Sequence, residues 1–279
     1  MLPFKKILFP IDFSDPCAAI VPAVADMLLH YEAQLALVHA YGPEALAYSA
    51  LPITDPRLPE ETRELQEERM SQFAAKHFPG VPVELYTGVG EPASVVEDVV
   101  KREGADLVML PTHGRGALRR LILGSVTSKI LHDLTVPVWT GHATKVPYKS
   151  VLCALDTSGE GEVVLRAACA IAKSYNAELA ITTVLELPPP SMEMDYGAFR
   201  SDFENMTDER IRELKSRTSI NVPHTIVDGL VPEAIREEAL RVHADLIVTG
   251  RGLSQGTFSR AWSHLYPIIR HAPCPVLSI

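Results

Sequence analysis

A glycine-rich segment with three arginines is the part of this sequence best suited to chemistry. Residues 111–130 read PTHGRGALRRLILGSVTSKI. Glycine lets a backbone approach a ligand closely, and the unpaired amides at the start of a helix attract anions. A helix that begins near Gly124, with Ser125 as its N-cap, would place such amides beside positive charge. The segment therefore predicts a phosphate site, and a glycine-rich turn with solvated arginines is the alternative. The arginines are Arg115, Arg119 and Arg120, and the other glycines are Gly114 and Gly116.

The sequence lacks the patterns of three other nucleotide or metal sites. It contains no GxxxxGK[ST] phosphate loop and no HExxH metal motif. The turn at residues 10–14 is not the Ser/Gly-rich loop of ATP pyrophosphatases. No residue stands out as a general base, so we expect no catalytic residues and no enzyme of the usual kind.

Strand and helix patterns alternate along each half of the chain. Short apolar runs predict buried parallel strands, and amphipathic stretches between them predict helices. Long loops are predicted at residues 42–59 and 187–201. Five strands alternating with four helices imply an α/β fold with a doubly wound parallel sheet. In the first half the strands are predicted at residues 6–11, 35–39, 81–86, 107–110 and 136–139, and the helices at 16–30, 60–78, 92–102 and 125–133.

The predicted sheet brings the glycine-rich segment to the end of the first strand. Doubly wound sheets bind ligands beyond the carboxyl ends of their strands, where the strand order reverses. With a flavodoxin-like order, that point lies between the first strand, which Asp12 ends, and its neighbour in the second winding. The glycine-rich segment follows the fourth strand, so the two segments would face each other across the crevice. An aspartate at a strand end is often only a cap or turn residue, so Asp12 alone is a weak indication of a site.

The chain repeats itself in three matched segments. KKILFPIDFSD at residues 5–15 resembles KSVLCALDTSG at 149–159, and GADLVMLPTHGRG at 104–116 resembles HADLIVTGRG at 243–252. LTVPVWT and APCPVLS end the two halves in the same way. Three matches in the same order predict an internal duplication. We therefore expect one domain at residues 1–143 and a second at 148–279, joined by a short linker near 141–147.

Composition predicts a cytoplasmic protein without nucleic-acid or membrane partners. The 279 residues carry a net charge of −9, with 47% hydrophobic and 22% charged residues. This balance is ordinary for a globular protein, and the negative charge disfavours nucleic acid and anionic lipid. No apolar stretch approaches the roughly 20 residues of a membrane span, and no secretory signal is recognisable. The four cysteines form no CxxC pair, which favours reduced thiols over a metal site.

The glycine-rich segment resembles the ATP-binding motif of the universal stress protein family. That motif is a Gly, two residues, a Gly, nine residues, and then Gly with Ser or Thr. Here Gly114 and the pair Gly124 and Ser125 match its second part, whereas Pro111 stands at the first Gly and removes an amide donor. The resemblance extends over both halves. It implies two tandem domains with five-stranded parallel sheets of the adenine nucleotide alpha hydrolase type.

For the first half, the resemblance implies an ATP site, with Mg considered as the accompanying ion. The adenine would meet the ends of the first and second strands, the ribose the fourth strand, and the phosphates the glycine-rich segment. The adenine residues would be Pro10, Ile11, Asp12 and Ala40, with Leu110 on the ribose side; the phosphate residues would be Gly114, Gly124, Ser125 and Val126; further site residues would be Ser14, His113, Arg115, Gly116 and Thr127.

The second half has drifted from this motif. Asp106 and Pro137 are 31 positions apart, whereas the matching Asp245 and Pro275 are 30 apart. Aligned from its C-terminal end, Trp262 falls on the position of Gly124. An indole at that position would obstruct a phosphate, so we expect this half to bind ATP poorly and to pair with the first half.

Together these features predict an ATP-binding, cytoplasmic stress-response regulator. The resemblance allows slow ATP hydrolysis or autophosphorylation at most, an intramolecular pseudo-dimer of the two domains, a homodimer of chains, and a protein partner that the sequence does not name. The alternative is a nucleotide-free tandem scaffold that binds a protein partner or an apolar ligand, which Pro111 and the eroded second copy favour. A nucleotidyl-transfer or pyrophosphatase enzyme is a third class, and the missing signature loops argue against it.

Overall fold

The chain divides into two compact units, Pro3–Thr144 and Lys145–Ile279. The computed structural model describes residues 4–42, 58–112, 123–157, 159–188, 195–251 and 261–279. Each unit is described by itself. In both, strands alternate with helices, which confirms the predicted α/β fold.

The elements of the N-terminal unit follow the predicted alternation. Its strands are β1 (Lys6–Pro10), β2 (Gln34–Tyr41), β3 (Val83–Val89), β4 (Leu107–Pro111) and β5 (Val138–Gly141). Its helices are α1 (Asp15–Ala19), α2 (Val21–Tyr31), α3 (Leu58–His77), α4 (Pro92–Glu103) and α5 (Ser125–Asp133).

The sheet of the N-terminal unit has the order β3-β2-β1-β4-β5. Its paired strands are parallel. Ile7 pairs with Leu35 on one side and with Leu107 on the other, so β1 lies between β2 and β4. The strand order therefore reverses between β1 and β4. This is the Rossmann-type order; the expected flavodoxin-like order, in which the first strand lies beside the third, is wrong.

One predicted helix of the N-terminal unit is two helices. Residues 16–30 were expected to form a single helix, but α1 ends at Ala19 and α2 begins at Val21. Pro22 lies in the first turn of α2. Its ring has no N–H and clashes with the carbonyl four residues earlier, so a continuous helix is disfavoured at this point.

The C-terminal unit repeats the same arrangement. Its sheet has the order β10-β9-β6-β7-β8, again with parallel pairs. Its strands are β6 (Ser150–Ala154), β7 (Glu178–Leu185), β8 (His224–Asp228), β9 (Leu246–Thr249) and β10 (Val276–Ser278), and its helices are α6 (Gly161–Tyr175), α7 (Tyr196–Thr218), α8 (Val231–Arg241) and α9 (Ala261–His271).

The loop predicted at residues 187–201 is shorter than expected. Helix α7 already begins at Tyr196, because Asp195 caps it by accepting a hydrogen bond from the Ala198 amide at 3.1 Å. The other predicted loop, residues 42–59, lies mostly outside the described residues, and α3 begins within it at Leu58.

An aspartate anchors the first strand of each unit in the same way. Asp106 accepts hydrogen bonds from the backbone amides of Lys5 and Lys6 at 2.8–3.1 Å. Asp245 accepts from the amides of Lys149 and Ser150 at 2.8 and 3.2 Å. The central residues of both first strands are buried, so each unit encloses its own apolar core around its sheet. Among the described residues, no helix is long and apolar enough to cross a membrane.

Candidate functional site

The residues predicted to meet adenine and ribose gather at one edge of the N-terminal sheet. Pro10 ends β1, and the Ile11 amide donates to the Val38 carbonyl at 2.8 Å. Ala40 lies near the end of β2, and Leu110 is buried near the end of β4. Because β1 lies between β2 and β4, the three carboxyl ends form one rim.

Asp12 and Ser14 form the turn that leaves this rim. The Asp12 carboxylate accepts a hydrogen bond from the Ser14 amide at 2.9 Å. The Ser14 hydroxyl caps α1 by accepting from the Cys17 amide at 3.3 Å. Both side chains therefore serve local structure, which is the ordinary role of an aspartate at a strand end. The same bonds hold the Asp12 carboxylate at the crevice.

The described ends of the glycine-rich segment meet at the end of β4. The Gly124 amide donates to the Thr112 carbonyl at 3.1 Å, and the Thr127 hydroxyl donates to the Pro111 carbonyl at 3.2 Å. Pro111 itself pairs in register with Gly141 of β5. The start of α5 is thus fixed against β4, beside the switch point. The predicted residues His113, Gly114, Arg115 and Gly116 lie outside the described residues.

The start of α5 differs from the prediction in one respect. Gly124, and not Ser125, is the N-cap, with φ −61° and ψ 145°. It provides no side-chain acceptor for the first amides of α5, so no cap side chain covers the amides of Ser125 and Val126. Ser125 and Val126 are the first two residues of the helix. An N-terminus of this kind accommodates an anion.

An aromatic and cationic cluster beside Asp12 was not predicted from the sequence. Phe13 adopts a left-handed conformation with φ 60°, which is uncommon for an aromatic residue. Its ring packs 4.6 Å from the His39 ring and 6.0 Å from the Phe73 ring. The Arg69 guanidinium lies 4.4 Å above the same ring. Helix α3 thereby reaches the edge of the sheet at the crevice.

His39 links the second strand to the first. Its Nδ1 lies 2.7 Å from the Ile11 carbonyl, and since a carbonyl only accepts, Nδ1 carries the proton. In the C-terminal unit, the Thr183 hydroxyl donates to the Leu155 carbonyl at 2.9 Å. The two units therefore make the same connection with different residues. The sequence indicated this role only through the position of His39 at a strand end.

Glu91 connects α4 to α5, the helix that starts at Gly124. It caps α4 by accepting from the Ala93 and Ser94 amides at 3.1 and 3.0 Å, and it pairs with Lys129 of α5 at 2.9 Å. Burial opposes ionisation, but the Lys129 and amide hydrogen bonds outweigh it and lower the pKa of Glu91 to about 2. The carboxylate is therefore ionised at neutral pH and holds the two helices together.

Replacing Glu91 with glutamine removes this ion pair, so it should lower the stability of the protein in a pH-dependent way. The folded-state pKa is lowered from 4.5 to about 2, so the stabilisation is complete above pH 4.5 and is lost as the pH falls toward 2. The pair is half-exposed and screened by solvent, so we expect the variant to lose about 0.5–1 kcal/mol at pH 7. Urea denaturation at pH 7 and pH 3 measures the difference.

A double-mutant cycle with Lys129→Gln controls for effects of the side chain alone. The coupling free energy between the two positions should be present at pH 7 and smaller at pH 3. An equal loss for Glu91→Gln at both pH values would contradict the assignment.

The C-terminal unit contains a cavity at the corresponding edge of its sheet. Its volume is about 450 Å³, which is within the range of small-molecule sites. The ends of β6, β7 and β9 form its floor, and side chains from all four helices of the unit contribute to its walls. Asp156, the counterpart of Asp12, lies at this cavity.

Comparison with known proteins matches the two units separately. The model of the universal stress protein family matches residues 3–140 and again residues 147–279. The chain belongs to the universal stress protein family. It contains two tandem domains of that family, which confirms the predicted duplication.

Single-domain universal stress proteins correspond to half of the chain. One from Thermus aquaticus is 33% identical over 139 residues, which are 48% of this chain and 96% of the relative. The Bacillus subtilis universal stress protein YxiE is 27% identical over 145 residues, which are 48% of this chain and 97% of the relative.

Two solved structures share the fold over almost the whole chain. A universal stress protein from Archaeoglobus fulgidus DSM 4304 is 22% identical with a TM-score of 0.68, and the match covers 98% of this chain and 95% of that one. A protein of unknown function from Pseudomonas aeruginosa PAO1 is 15% identical with a TM-score of 0.69, covering 99% and 92%. At these identities the likeness supports the fold alone.

The two universal stress protein domains differ at the ends of β4 and β9. Gly250 follows β9 at the position of Pro111. A methyl group placed on Gly250 would lie 3.2 Å from the Glu160 carboxylate, so that carboxylate lies against the backbone. Arg251 beside it is 1% exposed and donates to the Ser278 carbonyl at 3.3 Å. Burial lowers the pKa of Arg251 to about 10, although the nearby Glu160 carboxylate acts to raise it. The guanidinium therefore stays protonated at neutral pH.

The start of α9 also differs from the start of α5. Trp262, which aligns with the N-cap Gly124, is already a helical residue. Residues 252–256 read GLSQG, which matches the GxSxG nucleophile pattern. They lie outside the described residues, and we assign no nucleophile there. Among the described residues, no group of three His, Cys, Asp or Glu side chains could hold a metal ion.

Proposed function

We propose that the N-terminal domain binds ATP in the crevice between β1 and β4, and that the protein is a cytoplasmic stress-response regulator. The base would lie against residues 10–12 and Ala40, with Leu110 on the ribose side. The phosphates would lie at the first turn of α5. Bound nucleotide would fix the glycine-rich segment and thereby change the surface that a partner recognises.

The arrangement at the end of β4 is the observation that supports this proposal most. Helix α5 begins at Gly124 without a side-chain cap, and the Gly124 amide is bonded to Thr112 beside the switch point. Amides in a first turn without a side-chain acceptor, together with the helix dipole, favour an anion. Asp12 and its turn lie across the same crevice, where the base would be expected.

Mg²⁺ would accompany ATP through the phosphate oxygens. Mg²⁺ usually keeps several water ligands and binds proteins through few side chains when phosphates are present. Ser125 and Thr127 carry hydroxyls in the first turn of α5, and Thr127 already donates to the Pro111 carbonyl. These residues would position the phosphates, and no general base is assigned.

A nucleotide-free scaffold is the second candidate function. At the phosphate end, the Gly124 amide is already bonded to Thr112, and Pro111 offers no amide. Two donors of an ideal phosphate cradle are therefore absent from this edge. In this case the glycine-rich segment would have a structural role, and the ligand would be a protein or an apolar molecule.

The nucleotide content of the purified full-length protein distinguishes the two functions. Denaturation followed by chromatography should release about one adenine nucleotide per chain, or the protein should bind added ATP with a 1:1 stoichiometry in calorimetry. Adding EDTA should weaken ATP binding if Mg²⁺ accompanies the phosphates. Absence of both released nucleotide and calorimetric binding would establish the scaffold function instead.

A further inference from the structure

Lys129 carries a positive charge beside the start of α5. It follows Ser125 by four residues, so the two side chains lie on the same face of the helix. Side chains of a helix lean toward its N-terminus, so the long side chain of Lys129 extends back toward the first turn. Its Nζ atom donates a hydrogen bond of 2.9 Å to Oε2 of Glu91, the N-cap residue of α4.

The contact with Glu91 places this ammonium group at the ligand edge of the sheet. Helices α4 and α5 follow the parallel strands β3 and β4, so both helices begin at the edge where the strands end. Helix α4 packs against β2, β3 and α5, whereas α5 leads away from β4 to β5. An ammonium group that bonds to the N-cap of α4 is therefore level with this edge, on the side of α5 that faces the crevice between β1 and β4.

The ion pair between Lys129 and Glu91 is open to exchange. The Glu91 carboxylate also accepts hydrogen bonds from the Ala93 and Ser94 amides and from the Ser94 hydroxyl, at 2.9–3.1 Å, so α4 stays capped without Lys129. The side chains of Lys129 and Glu91 are 47% and 45% exposed, and a pair so exposed is weak. A phosphate chain at the first turn of α5 would compete with Glu91 for the ammonium group.

The second domain packs the same two helices without this ion pair. A glycine with φ of 131° in one domain and 133° in the other precedes the N-cap of α4 and of α8, so Leu230 stands at the position of Glu91. In the alignment that matches the prolines before the last strands, Pro267 of α9 stands at the position of Lys129. Helices α8 and α9 nevertheless pack against each other. The fold therefore does not require the pair, and both members are absent from the domain to which we assign no nucleotide.

We propose that Lys129 binds the terminal phosphate of the nucleotide and makes the site selective for nucleoside triphosphates, with Glu91 as its counter-ion when no nucleotide is bound. This inference rests on the proposed ATP site. On binding, the ammonium group exchanges a carboxylate oxygen of Glu91 for a phosphate oxygen, and Glu91 keeps its bonds to the first turn of α4. Helix amides favour any anion, whereas a side-chain cation adds an ionic hydrogen bond to the phosphate that reaches it.

Calorimetry of the full-length protein with ATP and ADP, at one Mg²⁺ concentration, tests this role. Lys129→Gln should weaken ATP binding about tenfold, because an ionic hydrogen bond to the terminal phosphate is lost. ADP binding should weaken about twofold, because a shorter phosphate chain makes less contact with Lys129. The ratio of ATP to ADP affinity should therefore fall about fivefold. A ratio that stays the same in the variant would overturn the proposal.

Glu91→Gln distinguishes a counter-ion from a residue that only positions α5. This change removes the carboxylate that competes for Lys129, so ATP binding should become about threefold tighter. If the pair only held α5 in place, Glu91→Gln would weaken ATP binding as Lys129→Gln does, and this result would reject the exchange. Urea denaturation of both variants confirms that the domain is folded.

Lys101→Gln is the matched control for the loss of a positive charge. Lys101 is 69% exposed, lies in the last turn of α4 and pairs with Glu97 on the same helix, so it is remote from the start of α5. Its ATP and ADP affinities should stay within about twofold of the parent protein. A loss equal to that of Lys129→Gln would attribute the effect to net charge and overturn the proposal.

The parent protein separates this inference from the proposed function. If it binds neither ATP nor ADP, the proposed function fails and this inference fails with it. If it binds ATP, and Lys129→Gln keeps the same ratio of ATP to ADP affinity, the role of Lys129 alone is rejected. The nucleotide site at the first turn of α5 would then stand without a side-chain cation from this residue.

Discussion

Substituting Gly124 by tryptophan should abolish ATP binding while the N-terminal domain stays folded. An N-cap side chain lies over the amides of the first helical turn. An indole there would fill the space proposed for the phosphates. With φ −61° and ψ 145°, Gly124 has a backbone conformation that any residue adopts, so the substitution strains no dihedral angle. We expect a loss of more than about 100-fold in ATP affinity, measured by calorimetry.

Gly124→Ser is the matched control for this substitution. Serine is a preferred N-cap residue, so the variant should be at least as stable as the parent protein. Its small hydroxyl competes for one amide and should weaken ATP binding far less than the indole. A thermal denaturation curve for each variant confirms that the domain is folded. ATP affinity within threefold of the parent in Gly124→Trp would place the phosphates elsewhere.

The duplication preserves folding contacts and alters the contacts that a ligand would use. Asp106 and Asp245 anchor the first strands through the same pair of amides. By contrast, Pro111 is replaced by Gly250, with a carboxylate against its backbone. The contacts that anchor the first strand depend on a strand geometry that both domains share, so the same contacts are found in both. Ligand contacts are under no such constraint, and the residues at the ends of β4 and β9 have diverged.

Local patterns explain why much of the fold could be predicted from the sequence. Helix α5 was predicted with its observed limits, Ser125–Asp133, because a glycine precedes it and its apolar positions recur at helical spacing. The alternation of strands and helices predicted a parallel sheet. It did not predict the order β3-β2-β1-β4-β5, which depends on how the connections pack across the sheet. The break between α1 and α2 depends on Pro22, a local feature that the apolar pattern around it obscured.

The parts of the site that could not be predicted are long-range contacts. Phe13 and Arg69 are far apart in the sequence, and their contact depends on how α3 packs over the sheet. No local pattern indicates the left-handed conformation of Phe13, since an aromatic residue there is rarely found. The cavity of the C-terminal domain is likewise a product of packing. Its lining residues come from many elements, and none forms a motif in the sequence.

Removing the Phe73 ring should be the most destabilising of the substitutions considered. Phe73 is 8% exposed and packs edge-on against Phe9 and Phe13, with ring centroids at 6.3 and 6.0 Å. Phe73→Ala leaves a cavity between α3 and β1, which should cost about 3–4 kcal/mol of unfolding free energy. Urea denaturation followed by fluorescence measures the loss. The chain has two tryptophans, so a Trp262→Phe background leaves Trp139, buried in β5, as the reporter of the N-terminal domain.

The same substitution tests whether α3 supports the crevice. Phe13 adopts its uncommon backbone conformation while packed against Phe73, His39 and Arg69, and it lies between Asp12 and Ser14. Losing the Phe73 contact should release Phe13 and weaken ATP binding about tenfold under conditions where the domain is folded. Leu29→Ala, at a position that is 81% exposed, should change stability by less than about 0.5 kcal/mol and leave ATP affinity unchanged. Unchanged ATP affinity in folded Phe73→Ala would show that Asp12 keeps its position without support from α3.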